Sequence, residues 1–354
     1  MEKDLIVRLF ALIIILLSFS NSLARITSTY SHDLAVNYAW LAAVGYCTPA
    51  QIAEGNCCMD QLEQNSYYLL YNEKIQIDDI TVTILRNDQL HQILVTFTGT
   101  RSKFQLLKEF YASLQKFIPI NDKFKEVKLM TYFKSVYDEF IIKNKNTLIS
   151  RLISLIAETS GEYQFVFVGH SLGGALATIF AREFSLIHRT EDSPVLLSFA
   201  SPRVGNFAFA NSVMTNVPIV FRIAMDEDPV TKFPFCNLKD GQCINMFNTT
   251  TFVEKLEFNE ENSKDTFPWH IGGLVLYKQD FTTYTECGLK YGEFNLDNSY
   301  CSKLSDYIKS LEEVLNDLEG AKLHGYYFIN KTMTQYCSAT DSNKTNSKPR
   351  KFLQ

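Results

Sequence analysis

Proline and glycine are scarce in this 354-residue sequence, at 9 and 15 residues, and tryptophan occurs only twice. That scarcity excludes a collagen-like chain and a Pro/Gly-rich disordered one. An excess of one charge is also lacking: 34 Lys and Arg stand against 39 Asp and Glu, with no long basic run. Nucleic acid is therefore not an expected partner, because binding it needs a concentrated cationic face. No Cys-x-x-Cys occurs and no His stands at zinc-finger spacing, so the eight cysteines do not read as a metal site. Internal repeats and Pro/Gly/Ser-rich linkers are missing as well, which leaves one folded domain as the expectation.

Long apolar runs are missing too, with one exception at the start. Lys3 and Arg8 flank a short basic region, Leu9–Leu17 is continuously apolar, and Ser22-Leu23-Ala24 puts small residues before a cleavage point. This is the build of a signal peptide covering residues 1–24. A membrane span needs about 20 apolar residues, and here the run turns polar at Ser18, Ser20, Asn21 and Ser22. No integral membrane segment is expected after cleavage, and the protein is expected to be secreted or held in a lumen of the secretory pathway.

In that compartment the cysteines become disulfide candidates. Close spacing favours Cys236–Cys243 and Cys287–Cys301, leaving Cys47, Cys57, Cys58 and Cys337 to share two bonds, at least one tying the N-terminal region to the C-terminal end. The pairing among those four stays open. Sequons begin at Asn248, Asn330 and Asn343.

Along the chain, residues 31–45 read as a helix, 80–85 and 92–97 as strands joined at Asn87-Asp88, and 103–118 as an apolar helix. A longer helical region is expected from 127 to 158, broken near Asn144–Asn146. Strands follow at 164–168, 195–199 and 219–224, with helices after 171 and over 207–214. Strands alternating with helices predict an α/β fold with a mostly parallel central sheet flanked by helices. The folded domain is placed at residues 25–337, with a polar tail at 338–354.

Gly169-His170-Ser171-Leu172-Gly173 has the Gly-x-Ser-x-Gly pattern of a nucleophile elbow. The Ser must sit on a tight strand-to-helix turn so that its oxygen projects above the sheet, and the glycines give that turn room. An apolar strand before it and an Ala-rich helix after it supply the setting the turn needs. In such sheets the acid and then the His follow the Ser in sequence. Asp226 and Asp228 directly follow an apolar strand, where open α/β sheets place their sites. His270 and His324 are the histidines that lie after them.

These motifs resemble the class 3 lipase family of secreted fungal-type triacylglycerol lipases, which are α/β-hydrolases. Leu94–Thr100 is similar to the family's strand ending in Phe-Arg-Gly-Thr/Ser, and Gly169–Gly174 to its nucleophile segment. Phe199–Asn206 resembles its Gly-Ser-Pro-Arg-Val-Gly-Asn segment, Phe221–Val230 the one carrying its aspartate, and His324-Gly-Tyr-Tyr-Phe the one carrying its catalytic His. The resemblance covers most of residues 30–337. It implies a Ser171-Asp228-His324 triad acting through an acyl-enzyme, an oxyanion hole at the N–H groups of Thr100 and Leu172, and no cofactor. It also implies a lid after Thr100, with Phe104, Leu107, Phe110 and Tyr111 on its apolar face, meeting a lipid–water interface. The implied activity is that of a triacylglycerol lipase, with an acylglycerol or another lipid ester as substrate. Alternatives are a phospholipase A1, a soluble-ester esterase or a non-catalytic lipid-binding relative. The sequence departs from the pattern at Thr98, where the family has Arg, and in extra length between Asp228 and His324.

Overall fold

The computed structural model describes residues 25–53, 57, 66–74, 80–99, 117–143, 147–225, 228–233, 236–239, 242–245, 268–278, 281–287, 324 and 327. The segment read as a signal peptide, the lid residues Phe104, Leu107, Phe110 and Tyr111, Thr100, Asp226, the sequons and the tail lie outside these residues.

Eight strands form the central sheet: β1 (Tyr68–Lys74), β2 (Thr81–Asn87), β3 (Gln92–Phe97), β6 (Gln164–His170), β7 (Val195–Phe199), β8 (Ile219–Met225), β11 (Leu274–Tyr277) and β12 (Tyr284–Cys287). They lie in the order β1-β2-β3-β6-β7-β8-β11-β12. From β3 to β11 every neighbour is parallel, and the outer pairs β1/β2, β2/β3 and β11/β12 are antiparallel. Strands β3, β6, β7 and β8 are buried throughout, because a parallel sheet covered on both faces has no solvent side.

Side chains alternate between two cores, as the strand period of two requires. Ile93, Val95, Phe97, Phe165 and Phe167 face one layer, whereas Leu94, Val166 and Val168 face the other. Helix α1 (His32–Val44), capped at Ser31, whose hydroxyl accepts from Leu34 N, packs in the second layer. A short helix α2 (Pro49–Ala53) follows it. Helices α3 (Thr131–Asp138), α4 (Thr147–Glu158), α5 (Leu172–Ser185) and α6 (Phe207–Asn216) belong to the first layer. The α/β arrangement expected from the sequence is the one observed.

Two expected helices are corrected in part. Residues 117–118 belong to strand β4 (Phe117–Pro119), and 128–130 to strand β5 (Lys128–Met130), which pair antiparallel with each other. The helical region then starts only at Thr131, continues as a π-helical turn over Glu139–Lys143, and resumes at Thr147. Three-residue strands are too short to show a period of two, and Pro119 cannot donate a helical N–H.

A second hairpin pairs β9 (Cys236–Lys239) with β10 (Gln242–Asn245). Cys47 is bonded to Cys57, and Cys287 is also in a disulfide. The Cys47–Cys57 bond uses two of the four cysteines whose pairing was open. Cys58, Cys301 and Cys337, and the side chains of Cys236 and Cys243, lie outside the description. Among the described residues no helix is long and apolar enough to cross a membrane.

Candidate active site

Ser171 stands between the end of β6 and the start of α5, with φ of +59°. Positive φ at a residue other than Gly is uncommon and concentrates at functional turns. Its N–H donates to Phe199 O (2.9 Å), which ties the turn to β7, and its own carbonyl accepts the first helical bonds from Gly174 and Ala175. Leu172 therefore occupies the first position of the helix, where an N–H has no intrahelical partner and points outward. The second oxyanion donor read from the sequence, Thr100, is outside the described residues, although the strand end leading to it is described.

Asp228 follows β8 and is fully buried. It caps a 3-10 turn, Pro229–Lys232, accepting from Val230 N at 2.9 Å. His324 reaches it from 96 residues away: Nδ1 lies 3.0 and 2.9 Å from the two carboxylate oxygens. The other ring nitrogen, Nε2, is 2.8 Å from Ser171 Oγ. A carboxylate only accepts, so Nδ1 carries the proton and Nε2 is left free to accept from the Ser171 hydroxyl. The structure thus brings together Ser171, Asp228 and His324 in the geometry of a nucleophile, a base and a group that orients the base.

His270, the other histidine that sequence order allowed, points elsewhere. Its Nε2 is 2.6 Å from the carbonyl of Thr231, and burial, followed by the charges of Arg222 and Arg203, pushes its pKa well down. It braces the turn just after Asp228.

Tyr327 is a residue that sequence reasoning passed over. Its hydroxyl donates to Asp228 Oδ2 at 2.8 Å and accepts from Met225 N at 3.2 Å, and it is fully buried. Burial, and then the charge of Asp228, raises its pKa well above the ordinary phenol value, so it stays a donor. The segment His324-Gly-Tyr-Tyr-Phe contains two tyrosines, and spacing alone does not single out Tyr327. Tyr327→Phe is expected to lower kcat about tenfold, the size of one lost hydrogen bond to a charged group. Steady-state kinetics on a short soluble ester, beside a melting curve, checks it. An unchanged kcat in a folded variant would leave Tyr327 without a part in orienting Asp228.

Thr98, where the resemblance leads one to expect Arg, has its own arrangement. Its hydroxyl donates to Gly45 O, and it accepts from Thr81 N at 3.1 Å. The end of β3 is thereby fastened to the end of α1 and to β2 by a small neutral side chain.

Residues 94–238 match the family model described as lipase (class 3). A chloroplastic phospholipase A1 of Arabidopsis thaliana is 34% identical over 173 residues, 44% of this chain and 35% of that protein. A secreted mono- and diacylglycerol lipase of Fusarium solani is 37% identical over 87 residues, 24% of this chain and 25% of that protein. The chain thus spans well under half the length of either relative. A solved structure of Rhizomucor miehei triacylglyceride lipase aligns at a TM-score of 0.56 and 19% identity, over 87% of this chain and 98% of that one. That last likeness is one of fold.

Proposed function

We propose that the chain is a class 3 lipase, the family whose model residues 94–238 match, and that it is a secreted serine hydrolase of lipid carboxylic esters, with acylglycerols as its substrates. The observation that carries the reading is the 2.8 Å approach of Ser171 Oγ to His324 Nε2, with buried Asp228 on the opposite ring nitrogen. In this reading His324 takes the Ser171 proton as Oγ attacks the ester carbonyl carbon. Asp228 holds the imidazole and stabilises it once charged. The imidazolium then gives its proton to the departing alcohol, leaving an acyl-Ser171. Water, deprotonated by the same His324, hydrolyses the acyl-enzyme and restores the serine.

The oxyanion is held by the N–H groups of Leu172 and Thr100, each worth around 3 kcal/mol of barrier. The segment after Thr100, with Phe104, Leu107, Phe110 and Tyr111, serves as a lid that meets the lipid–water interface. Acylglycerol as substrate is supported by the likeness to a protein named a mono- and diacylglycerol lipase. Secretion is supported by the signal-like residues 1–24 and by the Cys47–Cys57 disulfide, a bond typical of oxidising compartments. The hydrolase domain spans residues 25–337, followed by the polar tail 338–354. A second reading, phospholipase A1, is favoured by the likeness to a plant protein of that name.

The test sets triolein, phosphatidylcholine and a short soluble ester side by side, together with a fluorophosphonate probe. Turnover of triolein and labelling at Ser171 are expected. Release of fatty acid from phosphatidylcholine alone would give the phospholipase reading, and turnover of the soluble ester alone would remove the lid. Neither labelling nor turnover would leave a lipid-binding relative without catalysis.

A further inference from the structure

Immediately before the nucleophile stands a second histidine that the triad does not use. His170 is buried, and its ring lies beside that of His324, with centroids 4.8 Å apart and an interplanar angle of 33°. Both of its nitrogens are engaged. Nε2 is 2.8 Å from the backbone carbonyl oxygen of His324, and Nδ1 is 2.7 Å from the hydroxyl of Tyr46. A carbonyl oxygen can only accept, so Nε2 must carry a proton. In the neutral ring Nδ1 is then a bare acceptor, and Tyr46 must be the donor. The chain of donation runs from Tyr46 Oη to His170 Nδ1, and from His170 Nε2 to the main chain of the base.

Tyr46 is itself held from several sides. It ends the turn that follows α1, its N–H donating to Ala43 O, and the next residue carries the Cys47–Cys57 disulfide. Gly45, just before it, is fastened to the end of β3 through the Thr98 hydroxyl. The Tyr46 hydroxyl also nests against Gly99, where any Cβ would collide with it. One phenol thus touches the strand-end loop that leads to Thr100 and, through His170, the residue that deprotonates Ser171.

We propose that Tyr46 is a positioning residue for the catalytic base: by donating to His170 it selects the tautomer whose Nε2–H holds the main chain of His324. The inference rests on the triad reading above. In the opposite tautomer, with the proton on Nδ1, the carbonyl of His324 loses its donor and two lone pairs face each other. A doubly protonated His170 keeps that donor but sets a positive ring against the imidazolium that forms at His324 during acyl transfer. The neutral Nε2–H form avoids both, and Tyr46 is the group that favours it.

Two measurements test the proposal. In long-range proton–nitrogen NMR spectra of the active protein, His170 is expected as a neutral ring protonated at Nε2, and Tyr46→Phe is expected to mix the tautomers. A wild-type His170 protonated at Nδ1, or at both nitrogens, would overturn the proposal. This readout does not depend on turnover. In kinetics on a short soluble ester, Tyr46→Phe is expected to lower kcat about tenfold with KM within twofold, and to slow fluorophosphonate labelling in proportion.

Gln at position 170 can offer an N–H where Nε2 stands, with no tautomer to select. His170→Gln therefore serves as a background with its own kcat, and adding Tyr46→Phe to it is expected to cost far less than the roughly tenfold loss in the wild-type background. An equal loss from Tyr46→Phe in both backgrounds would make Tyr46 merely structural. Full activity in folded Tyr46→Phe would also refute the proposal. Activity surviving in Ser171→Ala would instead remove the triad reading and leave the tautomer assignment untouched.

Discussion

Ser171→Ala is expected to lower kcat by about six orders of magnitude and Asp228→Asn by about four, while neither variant loses its fold. The first removes the atom that attacks. The second is the sharper test, because it preserves size and shape. Asp228 accepts from His324 Nδ1, Tyr327 Oη and Val230 N, all within 3.0 Å. An Asn keeps one oxygen for Val230 and presents its amide N–H groups towards His324. Nδ1 must then accept, the ring proton moves to Nε2, and Ser171 faces a donor where it needs an acceptor.

His324→Ala belongs to the same series and is expected to match Ser171→Ala, since the two act as one unit. His270→Ala is the contrast. It removes a brace on the Thr231 carbonyl, so it is expected to cost stability and to leave kcat within about tenfold. Single-turnover acylation with a soluble ester, with circular dichroism as the check on folding, measures all four. A dead His270→Ala beside an active His324→Ala would reassign the base.

Those expectations draw on residues that were legible in the sequence to different degrees. Ser171 was legible because an elbow is local: strand, tight turn and helix lie within one stretch of chain. The place just past a buried strand left Asp226 and Asp228, and the resemblance picked Asp228. Chain order left both His270 and His324, and only the resemblance of the His324 segment chose between them; the Thr231 carbonyl at 2.6 Å accounts for the His270 ring. Strands β3, β6, β7 and β8 were legible as short apolar runs for the same reason that they are buried on both faces.

What sequence could not give are contacts made by the fold across long separations. Tyr46 meets His170 across 124 residues, and Tyr327 meets Asp228 across 99. No periodicity marks such pairs, and a buried tyrosine reads as core until its hydroxyl is placed. The pairing of Cys47 with Cys57 was one of several open choices for the same reason. Strands β4 and β5 escaped because each has only three residues and finds its partner in the other.

Gly173→Ala is expected to damage stability and activity together, and to do so more than most substitutions in the core. Gly173 lies in the first turn of α5, where the helix crosses the end of β3. A Cβ there would run into the carbonyl oxygen of Phe97, a backbone atom that cannot swing aside. Gly169, on β6, is in the same position against the carbonyl of Gly173. In this region β3 and β6 are in register, Phe97 beside Gly169, so relief at one glycine presses on the other.

The helix start must therefore move away from the sheet. Its first residues carry both the Ser171 oxygen and the Leu172 N–H, while His324 and Asp228 stay on the other side of the site. A displacement of about 1 Å is enough to cost on the order of 100-fold in rate. The overpacking itself belongs with the rare substitutions that cost about 4 kcal/mol or more. Thermal melting should accordingly drop by roughly 10 °C, and fluorophosphonate labelling of the folded fraction should slow by about two orders of magnitude. Near-normal melting and labelling would mean that α5 does not sit so close to β3, and the elbow at Ser171 would need another cause.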